Sequence, residues 1–158
     1  MKQNKTALMK AAEFLARQEQ SSEHLRKKLL SKKYSATEVE NAIETLTDRN
    51  YLNDEETCRR QFENLYSEER LSVRQICVKL FQRGFEKNFV KSLIPDDFEK
   101  RELKVAEKIF EKKFANLDFN ELDSKEKLKI KNKIYQHFVT KGFSSEIISA
   151  VMENFLND

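Results

Sequence analysis

An all-α fold of tandem helical modules is predicted by three features of the sequence. The first is a spacing that occurs three times. From Leu25, apolar residues come at +4, +5, +9, +14 and +18, as Leu29, Leu30, Tyr34, Val39 and Ile43. The same offsets from Ile76 give Leu80, Phe81, Phe85, Val90 and Ile94, and from Ile134 they give Phe138, Val139, Phe143, Ile148 and Met152. Self-similarity at a fixed period is the signature of repeat architectures. The second feature lies at +8 and +9, where the copies read Lys33-Tyr34, Gly84-Phe85 and Gly142-Phe143. Glycine there fits a helix that ends through the left-handed region, where a side chain costs about 1 kcal/mol or more. Lys33 departs from this, so the first copy either carries slight strain or turns differently. The third feature is composition: 2 Gly and 1 Pro beside 36% charged residues leave too few turn residues for a strand-rich fold.

On this reading the 158 residues form three three-helix repeats, 1–52, 53–95 and 96–158, the last with a loop insertion near 115–123. Each is too small to bury much surface alone. The +0, +4 and +5 side chains of the first repeat helix are expected on one face, and +14 and +18 mark the inner face of the second. A helix over 6–19 opens the chain, with Leu8, Ala11, Ala12 and Leu15 inward. Ser21 or Ser22 caps the next, which runs to about Lys32. Ser35 with Glu38 forms a capping box for a third, whose Val39, Ala42, Ile43 and Leu46 make an i, i+3, i+4, i+7 stripe. Asn50 suits a left-handed helix end, Asn53 with Glu56 caps the fourth helix, and Tyr51 and Leu52 are expected to plug the seam between repeats.

A helix over 54–69 buries Cys58, Phe62, Leu65 and Tyr66. Ser72 with Gln75 caps the repeat helix, 86–94 makes a short third, and Pro95 stops it. Asp96 or Asp97 caps a helix over 98–114 with Leu103, Ala106, Ile109 and Phe110 inward. Helices over 124–141 and 144–156 complete the chain.

The net charge is +3, from 30 basic and 27 acidic residues. That balance argues against a protein living mainly on phosphate contacts. Cys58 and Cys77 share no metal-ligand or redox spacing and read as reduced thiols. The N-terminal stretch lacks a signal-peptide core and no stretch approaches a membrane span, so the expected location is the cytoplasm. Two glycines cannot build a phosphate loop. His24 and His137 have no partners at metal spacing, and His137 reads as a surface histidine. The acid pairs Asp96-Asp97 and Glu55-Glu56 sit at helix starts, where the dipole favours anions. The sequence therefore predicts no enzyme, no metal and no cofactor.

The basic residues give a better lead. Offsets +3 and +7 read Lys28 and Lys32, then Lys79 and Arg83, then His137 and Lys141. Each pair is i, i+4, hence one outward stripe per repeat, with Arg26, Lys27, Arg74 and Lys87 nearby. Two readings stand: a contact with a polyanion or an acidic protein, or cations placed where helix C-termini and solvent favour them anyway.

The run Leu15 to Leu46, LARQEQSSEHLRKKLLSKKYSATEVENAIETL, followed by NYLNDEE, resembles the RecX family of recombinase regulators. That family shows an L-A-R-R-E-x-S-x-x-E-L-like run, then K-L-x-x-K-G-F/Y, then G-Y/L-L-D/N-D. Here Gln18 stands for the second arginine, Lys33 and Asn50 for glycines, and Thr57 for an aromatic. The resemblance covers the chain in length and repeat plan, most sharply over 15–56. It implies three tandem three-helix modules in an elongated, curved molecule, and the expected state is a monomer. It also implies a non-enzymatic inhibitor that binds RecA and the RecA–DNA filament and lowers ATPase activity, filament growth and strand exchange. Weak binding to single- and double-stranded DNA is implied as well. The competing readings are a plain helix-turn-helix-like DNA-binding protein and a helical-repeat scaffold for an unrelated acidic partner.

Overall fold

A computed structural model of the chain describes residues 5–114, 116–117 and 122–156. Among these residues the backbone forms nine α-helices and no strand. They are α1 (Ala7–Arg17), α2 (Ser22–Ser31), α3 (Ala36–Asp48), α4 (Asp54–Ser67), α5 (Val73–Gln82), α6 (Lys87–Ser92), α7 (Phe98–Phe114), α8 (Ser124–Lys141) and α9 (Ser145–Leu156). Part of the predicted 115–123 loop, residues 115 and 118–121, lies outside the described residues.

Side-chain caps set most helix starts, because the first amides of a helix have no partner within it. Thr6 and Ser21 accept from the amides of Met9 and His24 at 3.2 and 3.1 Å. Ser35 and Glu38 form the expected reciprocal box, as do Ser72 with Gln75 and Asp123 with Glu126. Asn53 accepts from the Glu56 amide at 3.0 Å, and Glu86 caps α6. The helix ends are equally regular. Gly84 and Gly142 adopt φ of 87° and 85°, and Lys33 takes the same left-handed turn at 68°. The first copy therefore turns like the others and carries the strain of a side chain there. Asn50 is left-handed at 57°, as expected for that residue type.

The chain divides into two compact units: residues up to Glu63 with Lys79–Leu93, and Asn64–Val78 with the residues from Ile94 onward. In the first, α1 packs on α2 and α3 around Ala11, Leu25, Leu29, Val39, Ile43, Leu46 and Leu52. In the second, α7 and α8 pack on α9 around Val105, Phe110, Ile134, Phe138, Ile148 and Val151. Phe138 is the bulkiest fully buried side chain, and each such apolar group contributes about 1.5–3 kcal/mol on burial.

Several inward expectations are corrected. The +5 residues Leu30 and Val139 are exposed and Phe81 is half-buried, whereas +0 and +4 are buried. At 100° per residue +4 lies about 40° from +0, but +5 lies about 140° away. Ala12 is exposed, while Ala7 and Ala11 are buried and Phe14 packs against the core. Tyr51 is 72% exposed and plugs nothing; Leu52 alone is buried. In α7, Leu103 and Ile109 are half-buried, and the buried set includes Arg101 and Glu102, which the apolar pattern does not mark.

One arrangement recurs, once in each unit. The Ser21 hydroxyl, while capping α2, donates to the Arg83 carbonyl at the end of α5, at 2.5 Å. Asp54, the first residue of α4, accepts from the Ser22 amide at 2.7 Å. In the other unit the Ser72 hydroxyl caps α5 and donates to the Lys141 carbonyl at 2.6 Å, while Glu102 of α7 accepts from the Val73 amide at 2.9 Å. Each helix start thus meets the end of a later helix, and glycine permits the approach. A Cβ on Gly84 would stand 2.8 Å from the Ser21 hydroxyl oxygen, and one on Gly142 would stand 2.7 Å from Arg74 Cδ.

Denaturant titration checks both the turns and the serine bonds. Lys33→Gly raises stability by up to about 1 kcal/mol by relieving the left-handed side chain, while Gly84→Ala lowers it by more than that because strain and collision add. Ser72→Ala lowers stability by about 1–3 kcal/mol, since it removes a cap and leaves the Lys141 carbonyl without its donor.

Candidate interaction surface

The basic residues singled out by spacing fall into two groups by environment. In α2, Arg26 is already engaged: its guanidinium holds Glu40 through two bonds, at 2.6 and 3.1 Å, and Glu23 through a third at 2.7 Å. These hydrogen bonds, that to Glu40 foremost, push its pKa further up. Lys27 sits 3.4 Å from Glu23 with most of its side chain in solvent. Lys28 is half-buried, its ammonium 5.5 Å from the centre of the Phe14 ring. Lys32, Lys79 and Lys87 are exposed, Lys87 lying over Phe81 at 5.9 Å.

The first unit brings Lys28 and Arg83 together in one small cavity with His24, Gln20 and Gln61. Arg83 donates to the Gln61 side-chain oxygen at 2.6 Å. The Gln20 side-chain oxygen is buried there without a hydrogen-bond partner. Burial, followed by the nearby charges of Lys28 and Lys27, holds the His24 pKa below its ordinary value. Lys28 and Arg83 are thus partly enclosed rather than presented outward.

The second unit gathers His137 and Lys141 in an open groove with Lys108, Lys112, Lys113 and Glu69. Arg74 lies against Gly142, the residue after Lys141. His137 is half-buried rather than a surface residue, edge-on to Phe114 and Phe138. Its Nδ1 faces the Lys113 ammonium at 3.1 Å. An ammonium only donates, so Nδ1 accepts and the ring proton sits on Nε2, which is buried without a partner. Burial, then Lys113 and Lys141, lower the pKa of His137, so the ring is neutral near pH 7.

Spacing of the +3 and +7 residues did not reach the α7 cations, although Lys104, Lys108 and Lys112 recur at i, i+4, i+8 and were there to be read. Two of them tether Glu69, which receives hydrogen bonds from Lys104 and Lys108 and itself adopts φ of 52°. Those bonds hold its carboxyl down to about 2. Arg101 carried no sequence signal, because a charged residue on a charged helix reads as solvated. It donates to the carbonyls of Tyr66 and Leu71 at 2.8 and 3.0 Å and stacks 4.2 Å from the Tyr66 ring centre, fastening the α4–α5 connection. Beside it, burial pushes the Glu102 carboxyl up, against the opposing pull of the Val73 amide and Arg101. Among the described residues no group of three His, Cys, Asp or Glu is placed to hold a metal, and no helix is long and apolar enough to cross a membrane.

These features define a class: an all-helical protein in which several carboxylates and hydroxyls serve caps and tethers, and in which some of the cations line one open groove. No protein-family model matches the chain. Its sequence is 30% identical over 142 residues to the regulatory protein RecX of Haemophilus ducreyi, covering 88% of this chain and 85% of that protein. It is 28% identical over 158 residues to the regulatory protein RecX of Actinobacillus pleuropneumoniae serotype 5b, covering 98% and 96%. The fold matches the crystal structure of RecX from Lactobacillus salivarius with a TM-score of 0.75 at 20% identity, over 94% of this chain and 93% of that one. The chain belongs to the RecX family of regulatory proteins.

The Glu69 tether has a signed pH dependence. Its pKa is about 2 in the folded protein against 4.5 for the ordinary carboxyl, so it stabilises the fold fully above 4.5 and ever less as the pH falls through that window. Melting temperatures of the parent and of Glu69→Gln should therefore converge between about pH 4.5 and pH 2. A constant offset across that range contradicts the assignment.

Proposed function

We propose that this chain is a non-enzymatic cytoplasmic inhibitor of RecA, acting as a monomer on RecA and on the RecA–DNA filament. The observation that carries this reading is the relationship to regulatory proteins named RecX, which spans 88% of the chain at 30% identity. On this reading the protein lowers ATPase activity, filament growth and strand exchange, and touches single- and double-stranded DNA only weakly. A net charge of +3 with several cations lining one open groove suits a partner that is part protein and part phosphate.

The same reading divides the chain into three modules, 1–52, 53–95 and 96–158. Its support is the recurrence of the serine and carboxylate contacts, Ser21 with Asp54 and Ser72 with Glu102. We take Lys28/Lys32, Lys79/Arg83 and His137/Lys141 as the contact register, with Arg26, Lys27, Arg74 and Lys87 as neighbours. Lys32 and Lys79 are its most accessible members. Several weak contacts that engage together bind far more tightly than any one alone.

The test is the single-stranded-DNA-dependent ATPase rate of the cognate RecA, titrated with this protein at fixed salt. Inhibition is expected, and at amounts well below one molecule per RecA it indicates blocked filament growth. Lys32→Glu or Lys79→Glu alone should weaken inhibition modestly, and the pair by more than the product of the two. No inhibition of an active RecA removes the proposal, and strictly independent losses remove the register.

A further inference from the structure

Helix α8 turns Ile134 and Phe138 into the core of the second unit. About 100° around the helix from these, a second line is also apolar. Leu128, Tyr135 and Val139 stand at i, i+7 and i+11, within about 40° of one another around the helix. They remain 61%, 37% and 41% exposed. Among the described residues the other large exposed apolar side chains, Met9, Leu30, Tyr51 and Val78, lie singly on separate elements, which is ordinary for a protein surface. Three on one helix face, spanning about 16 Å or three turns, form a stripe.

Charge surrounds that stripe. Helix α8 carries Lys125, Lys127, Lys129, Lys131, Lys133 and Lys141 against a single acid, Glu126. The Glu126 carboxylate is occupied by the Asp123 amide in the capping box. None of the six lysines pairs with an acid among the described residues. Around the helix Lys125 and Lys129 border the stripe on one side and Lys131 on the other.

We propose that this face of α8 docks an acidic amphipathic helix of a partner protein. The partner's apolar residues, spaced i, i+3, i+4 and i+7, cover Leu128, Tyr135 and Val139, and carboxylates along its edges meet the lysines. Two copies of this chain do not fit face to face through α8, because that would bring two sets of lysines together that pair with no acid among the described residues. A nucleic acid fits less well. Phosphates would satisfy the lysines and the Tyr135 ring could stack on one base, but Leu128 and Val139, the two ends of the stripe, present neither a stacking surface nor a hydrogen-bonding group. The proposal goes beyond the RecA reading and does not rest on it.

The probe is a fluorescein-labelled synthetic helix of three heptads, with leucines along one face and glutamates on its flanks. Its scrambled isomer and a labelled oligothymidylate serve as controls, all read by fluorescence anisotropy against the full chain. The ordered peptide should bind several-fold more tightly than the scrambled one. Leu128→Ser/Val139→Ser should weaken it about tenfold while leaving oligothymidylate binding unchanged. Lys129→Glu/Lys131→Glu, which leaves the stripe intact, should weaken it as well. Leu128, Val139 and Lys129 are exposed and Lys131 is half-buried with its ammonium unpaired by any acid among the described residues, so melting temperatures should match the parent. The proposal is overturned if the peptide fails to bind, if scrambling makes no difference, or if the serine variant binds like the parent. A loss of oligothymidylate binding in step with the peptide assigns the face to nucleic acid and overturns it too.

Discussion

A serine hydroxyl has one proton to give and lone pairs to receive, and Ser21 and Ser72 use both. Each accepts the amide that starts its own helix and donates to the carbonyl that ends a later one. Two helix termini, each with unmet hydrogen-bonding groups, are thereby satisfied by one buried atom. The arrangement works only at short range, and the facing positions, 84 and 142, hold glycine where a Cβ would collide with Ser21 in one case and with Arg74 in the other. A helix end left without partners costs more than a made bond returns. The hydroxyls therefore select this docking against displaced ones as much as they stabilise it.

The carboxylates of Asp54 and Glu102 reinforce the same helix starts from outside, but under different conditions. Asp54 is half-buried and takes both the amide and the hydroxyl of Ser22. Glu102 is buried and shares its oxygen between the Val73 amide and Arg101. A carboxylate withdrawn from water needs such compensation, and Arg101 supplies it while also tying down the preceding connection through Tyr66 and Leu71. One buried arginine thus serves both the loop and the helix after it.

The helices were legible because their signals are local. Ser35 with Glu38 and Ser72 with Gln75 announce helix starts within four residues, and Asn50 and the two glycines announce ends. The inner face was legible at +0 and +4 but not at +5, because being apolar does not fix a direction around the helix. Tyr51 failed similarly, since lying between two helices does not decide which way a side chain points. No local pattern carried the long-range polar bonds, Ser21 to Arg83 and Ser72 to Lys141, separated by 62 and 69 residues. The candidate surface was legible as a set of cations. Their availability was not, because Arg26 is held by Glu40 and His137 is folded against Phe114.

The near balance of 30 basic and 27 acidic residues does not hold on every face of the molecule. Acids such as Glu23, Glu40 and Glu69 are engaged by neighbours, whereas the lysines of α8 have no such counterparts among the described residues. Their field reaches outward by about 8 Å at physiological ionic strength and about 30 Å in dilute salt. An anionic molecule drifting past would be turned toward that helix before touching it, so added salt would slow the rate of encounter even where the final complex held just as firmly.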